Sequence, residues 1–237
     1  MSRFSTRYGE RGLREGGWRP VLDGGALALI IIAYFTFFYV KVGFRFIPEF
    51  AEPAGIMILM LTAGLFVSYP IARWKPAFGR FNVAMIVAGL FSFVGLVAVE
   101  QLINAIVAGS YHVPAGGQGV VVTLSPFWAM MFYFSVGVAE ETLFTLLFFG
   151  SLVANGLNPL IALILKSALF VTYHNWVAYQ LYHTSIFNVP NYAIVLYVGS
   201  FLLTAGFYFT RYFVVAALGH GCLNAFVYAY SLHLIHV

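Results

Sequence analysis

Apolar runs of about 20 residues follow one another along this chain and leave it few ways to fold. A helix rises 1.5 Å per residue, so about 20 apolar residues cross the hydrocarbon core of a bilayer. Residues 21–40, 54–72, 81–108, 126–154, 158–182, 192–210 and 212–236 each read as such a span. The fold expected is therefore all-α: a polytopic transmembrane helical bundle of about seven spans, within a range of six to eight. The third and fourth runs are long enough to tilt or break. Charged residues make up 8% of the 237 residues, against about 25% in a soluble domain. One transmembrane domain, 21–237, accounts for nearly the whole length.

The remainder is residues 1–20, "MSRFSTRYGERGLREGGWRP", an arm rich in Gly and Arg. It is polar, and the first apolar run is long enough to stay in the membrane, so no cleaved leader is expected. The basic residues report topology. Arg3, Arg7, Arg11, Arg14 and Arg19 in the arm, Arg73, Lys75 and Arg80 in the second loop, and Arg211 at the sixth turn alternate onto one side. Only Lys41 and Arg45 fall on the other, and Lys166 lies within a span. The excess of basic residues places the N-terminus in the cytoplasm and, across seven spans, the C-terminus on the opposite side. The net charge of +4 serves this role and the attraction of the arm to anionic lipids. It does not point to nucleic acid. One cysteine, Cys222, excludes an intrachain disulfide.

Against this background the ionisable residues inside the spans stand out. "VAEETLF" (138–144) carries Glu140 and Glu141 side by side. A carboxylate in hydrocarbon costs roughly 2.5–3.5 kcal/mol on insertion scales. His174 lies in the fifth span, and His220 and Asn224 in the seventh. Each sits within roughly 7 Å of its span's midpoint at 1.5 Å per residue, so all five can meet at one depth. His220 and Asn224 share a helix face, as do Phe170 and His174. The two glutamates differ by about 100° around a helix and border a pocket without pointing the same way. A carboxylate, two imidazoles and a carboxamide around one water are equipped to hydrolyse an amide. One such residue alone serves as often as a helix–helix hydrogen-bond partner; five at one depth favour a functional site.

"EETLFT" (140–145), "FVTYH" (170–174) and "HGCLN" (220–224) together resemble the three motifs of the CAAX-protease and bacteriocin-processing family. Its patterns are EExxxR, FxxxH and HxxxN or HxxxD, on separate transmembrane helices. The resemblance covers about residues 126–236. It implies an intramembrane glutamate endopeptidase acting on a membrane-embedded or lipidated peptide. Position by position, it makes Glu140 the base for the attacking water, with His174 assisting. It likewise implies that His220 and Asn224 stabilise the oxyanion, that Glu141 supports them and that Phe170 shapes the pocket. There is one departure, since the family's arginine position is Thr145. Threonine does not compensate the glutamates' charge, and Lys166 on the next span is the candidate to do so. The departure keeps open a catalytically inactive accessory subunit or scaffold of a larger membrane complex.

Other polar residues call for less. Glu100 and Asn104 in "EQLIN" share one face and read as a packing contact, with an auxiliary pocket acid as the alternative. His112, His183, His233 and His236 read as interfacial. Cys222 lies about 200° around the helix from His220 and reads as a small buried apolar residue. No cofactor is expected. A divalent metal or porphyrin-type ligand at His174 and His220 is the remaining alternative. The partners expected are membrane lipids and a peptide or lipidated-protein substrate, or partner membrane subunits if the chain is not catalytic.

Overall fold

The structure is a computed structural model and describes residues 83–108, 126–154, 157–183, 185–210 and 212–231. The arm 1–20, the expected spans 21–40 and 54–72, most of the topology-setting basic residues, and His112, His233 and His236 lie outside the described residues. Among the described residues every element is helical and none is a strand. In chain order these are α1 (Val83–Ala108), α2 (Pro126–Glu141), a π-helical stretch (Thr142–Phe149), α3 (Gly150–Ala154), α4 (Pro159–Tyr182), a 3₁₀ turn (Ile186–Asn188), α5 (Pro190–Thr210) and α6 (Phe213–Ser231).

Among the described residues, three segments are long and apolar enough to cross a membrane: Val83–Val107, Tyr133–Val153 and Pro190–Thr210. Phe213–Val227 is apolar but shorter. Helix α4 has 24 residues, a spanning length, but Lys166, His174 and Asn175 dilute its apolar content. It starts where sequence chemistry sets it. Asn158 caps the helix, its Oδ1 accepting from the Leu160 N–H at 2.9 Å, and Pro159 fills the first turn, where no N–H is needed. It ends at His183, exposed and left-handed at φ 54°, whose N–H returns to the Tyr179 carbonyl.

The expected span 126–154 is an unbroken helical rod that changes winding midway. Directly after Glu141, eight residues, Thr142–Phe149, take π-helical form. All eight are buried. The Gly150 N–H bonds to the Thr145 carbonyl, five residues back. Thr142 Oγ1 donates to the Val138 carbonyl at 2.9 Å, a side-chain bond that competes with the backbone ladder at the point where the winding loosens. Such segments are rare and concentrate at functional sites.

Helix α6 packs along α1 and α2, and α4 packs on α5. The core between them is built from the π-helical stretch (Leu143, Phe144, Leu146, Leu147 and Phe149) against Phe170, Leu203 and Phe207. At one crossing α2 and α6 touch backbone to backbone. A Cβ on Gly137 would lie 2.8 Å from the Gly221 nitrogen, and one on Gly221 would lie 2.9 Å from the Phe134 carbonyl oxygen. Only glycine permits that approach. The outer faces are apolar: Phe91 and Ile106 on α1 are each 73% exposed, and Phe209 on α5 is 80% exposed. Large apolar side chains this exposed on successive helices suit a lipid surround.

Candidate functional site

Glu140 and Glu141 end α2, one turn past the Gly137–Gly221 crossing. The close approach there brings His220 of α6 against both. His220 Nδ1 lies 2.9 Å from Glu141 Oε1, and its Nε2 lies 3.5 Å from Glu140 Oε2. His174 of α4 arrives from the other side, its Nε2 3.7 Å from Glu140 Oε1. The other nitrogen of His174, Nδ1, is 2.9 Å from the Phe170 carbonyl. A carbonyl only accepts, so Nδ1 carries a proton, and in neutral His174 the Nε2 lone pair faces Glu140.

Glu141 is fully buried and bonded on both oxygens. Thr145 Oγ1 donates to Oε2, and Lys166 Nζ, itself fully buried, is 3.6 Å from the same atom. These donors, together with His220 Nδ1 on Oε1, fit the ionised carboxylate. Lys166 is held in turn by α5: Ser200 Oγ accepts from Nζ at 2.9 Å and the Ser200 carbonyl at 3.4 Å. Thr204 ties the two sides together. Its hydroxyl lies 2.9 Å from Thr145 Oγ1 and 3.0 Å from the Ser200 carbonyl. Because Thr145 gives its proton to Glu141, the single Thr204 proton is shared between these two acceptors. Breaking a buried ion pair from one side costs about 3–5 kcal/mol.

Phe170 is the floor of the cluster. Its ring centroid is 4.2 Å from His174 and 5.7 Å from His220. Phe144 meets it edge-on at 5.1 Å, and Lys166 Nζ lies 5.0 Å from its centroid. The aromatic face thereby packs the imidazoles and adds a cation–π contact to the buried lysine.

Glu140, Glu141, His174, His220 and Phe170 thus come together. Asn224 is half-buried one turn beyond His220 on α6, and no hydrogen bond from its carboxamide to the glutamates or histidines is found among the described residues. Lys166 reaches Glu141, on the side left empty by Thr145. Ser200 and Thr204 are residues that sequence reasoning missed: a serine and a threonine in an apolar run carry no signal until a buried charge lies beside them. Cys222 is a free, half-buried thiol. Glu100 is 5% exposed and borders a small cavity with His220 and Phe170. Among the described residues, no group of three His, Cys, Asp or Glu is disposed to hold a metal ion.

Comparison with protein-family models, curated proteins and solved structures gives no match. The chemistry of the site therefore rests on its own residues.

Proposed function

We propose that this chain is an intramembrane endopeptidase of the CAAX-protease and bacteriocin-processing type. Its substrate is a peptide bond in a membrane-embedded or lipidated peptide. The observation that carries the reading is the meeting of Glu140, His174 and His220 from three helices, with Glu140 flanked by two imidazole nitrogens at 3.5 and 3.7 Å. Those separations leave the carboxylate loosely held and free to reorient toward a water.

In this mechanism Glu140 takes a proton from the water as its oxygen attacks the scissile carbonyl carbon. His174 Nε2 orients that water. His220, with Nδ1–H committed to Glu141, offers Nε2–H to the oxyanion in its doubly protonated form, and the two carboxylates beside it supply the counter-charge. Asn224, on the same face of α6, reaches the oxyanion as a neutral donor. Collapse of the tetrahedral adduct breaks the C–N bond, and Glu140 returns its proton to the leaving amine. The products are a carboxylic acid and an amine. Glu141, with Lys166 in the role of the family's arginine, fixes His220. The test is mass spectrometry of a membrane peptide incubated with reconstituted wild-type protein and with Glu140→Gln. Equal cleavage by both would end the mechanism.

The second reading is a non-catalytic accessory subunit or scaffold. It is favoured by Asn224, which makes no hydrogen bond to the cluster among the described residues. Co-purification with partner membrane subunits and an unchanged peptide profile after deletion would favour it over hydrolysis. We also propose about seven spans with the N-terminus cytoplasmic and the C-terminus on the opposite side. Reporter fusions at each loop test this, and a C-terminal reporter on the cytoplasmic face would refute it.

A further inference from the structure

We propose that the cavity lined by α1, α4, α5 and α6 binds a primary ammonium group on a short aliphatic stem, with Glu100 as its counter-charge. Leu96, Leu196, Leu203 and Leu223 supply apolar walls, and the polar lining comes from Glu100, Ser200 and His220. Glu100 is only 5% exposed, and its carboxylate has no hydrogen bond or ion pair among the described residues. A carboxylate on a largely buried residue that lines a cavity and has no partner calls for a ligand that supplies one. The nearby cation does not: Lys166 is engaged by Glu141 and Ser200.

Size and chemistry narrow the occupant. The cavity volume is about 50 Å³, room for about three to five waters at roughly 10–15 Å³ each. A chain of about that many heavy atoms fills the same space. A hydrocarbon end would leave Glu100 unpaired, and an anion would be repelled. A guanidinium would use nearly all the room for its head alone. An ammonium brings three donors, which Glu100 and the Ser200 hydroxyl oxygen accept, while the leucines surround the stem. The site shares His220 and Phe170 with the proposed hydrolytic centre, but binding there needs no chemistry at that centre. Two sources carry such an ammonium, a lysine side chain of a membrane peptide and the aminoalkyl headgroup of a lipid.

The test uses the full chain in phosphatidylcholine nanodiscs, titrated with n-propylammonium by ligand-observed NMR. 1-Propanol and propionate are the neutral and anionic controls. Saturable binding of the ammonium alone is expected. Glu100→Gln should weaken it about tenfold or more, as loss of a charge-assisted hydrogen bond implies, and Glu100→Asp should restore part of it. Gly199→Val should abolish it by filling the cavity. A Cβ at Gly199 meets only Leu96 Cδ2, at an ordinary 3.6 Å, so the first added carbon fits without a clash. Equal binding of propanol, or an affinity unchanged in Glu100→Gln, would overturn the proposal. Displacement of propylammonium by a lysine-bearing transmembrane peptide, but not by its norleucine counterpart, assigns the site to peptide. Displacement by phosphatidylethanolamine in the disc assigns it to lipid, and displacement by neither removes both sources. Glu140→Gln retains propylammonium binding even where it ends hydrolysis, so the two proposals fail separately.

Discussion

Glu140 and Glu141 are neighbours in the chain and opposites in surroundings. Glu141 is sealed, with a hydroxyl, an ammonium and an imidazole on its two oxygens. Glu140 keeps an 11% exposed side chain and contacts only at 3.5–3.7 Å. Rotation of about 100° around one helix turns one carboxyl into the packed polar core and the other toward the bundle's accessible side. A carboxylate whose oxygens are all engaged is a scaffold element, while one held loosely between two imidazoles can exchange a proton. The sharing of roles within the pair follows from environment rather than from residue type.

The contrast can be broken from either side. The largest effect expected is on turnover. Glu140→Gln should lower kcat by about 10²–10⁴, the usual contribution of a general base, with little change in unfolding midpoint. A stability loss in place of a rate loss would reverse the two roles. Next, Lys166→Met should destabilise the fold by about 3–5 kcal/mol, because it strands Glu141 in the core. Denaturant titration in mixed micelles measures this, and adding Glu141→Gln should recover much of the loss. A double variant no better than the single would show that the ion pair does not hold this region. Third, Thr145→Arg placed in the Lys166→Met background should regain about 1–3 kcal/mol, since a residue four positions on lies on Glu141's face. No recovery would mean that the cation must come from α4. The smallest effect is expected for Thr204→Val, about 1 kcal/mol for one hydroxyl's hydrogen bonds. A loss as large as that of Lys166→Met would make the hydroxyl, not the charge, the keystone.

Apolar run lengths and residue types made the helical character and the depth of the polar residues readable before the structure. The described helices at 83–108 and 190–210 follow the expected runs closely, because length and apolarity are local properties. Phe170 and the four ionisable residues at 140, 141, 174 and 220 were also readable, since a costly residue in an apolar run advertises itself. What was not readable depends on contacts between distant positions. Lys166 reaches Glu141 only because of how α4 crosses the π-helical stretch, and that stretch has the composition of an ordinary apolar helix. Glu100 was legible only as a packing or interfacial contact or, alternatively, an auxiliary pocket acid, because its own helix says nothing of the cavity opposite. Asn224 shows the converse: it shares a helix face with His220, yet its carboxamide makes no hydrogen bond to the glutamates or histidines among the described residues.

The Gly137–Gly221 crossing has a mechanical consequence. At that point the backbones of α2 and α6 meet with only the Phe134 ring of α2 beside Gly221, so the spacing of the two rods is set largely by backbone atoms, which do not compress. Glu140 and His220 ride on those rods within one turn of the crossing. The gap between acid and imidazole is therefore gauged by a hard stop, and even a single methyl there would act as a shim that moves the two side chains apart.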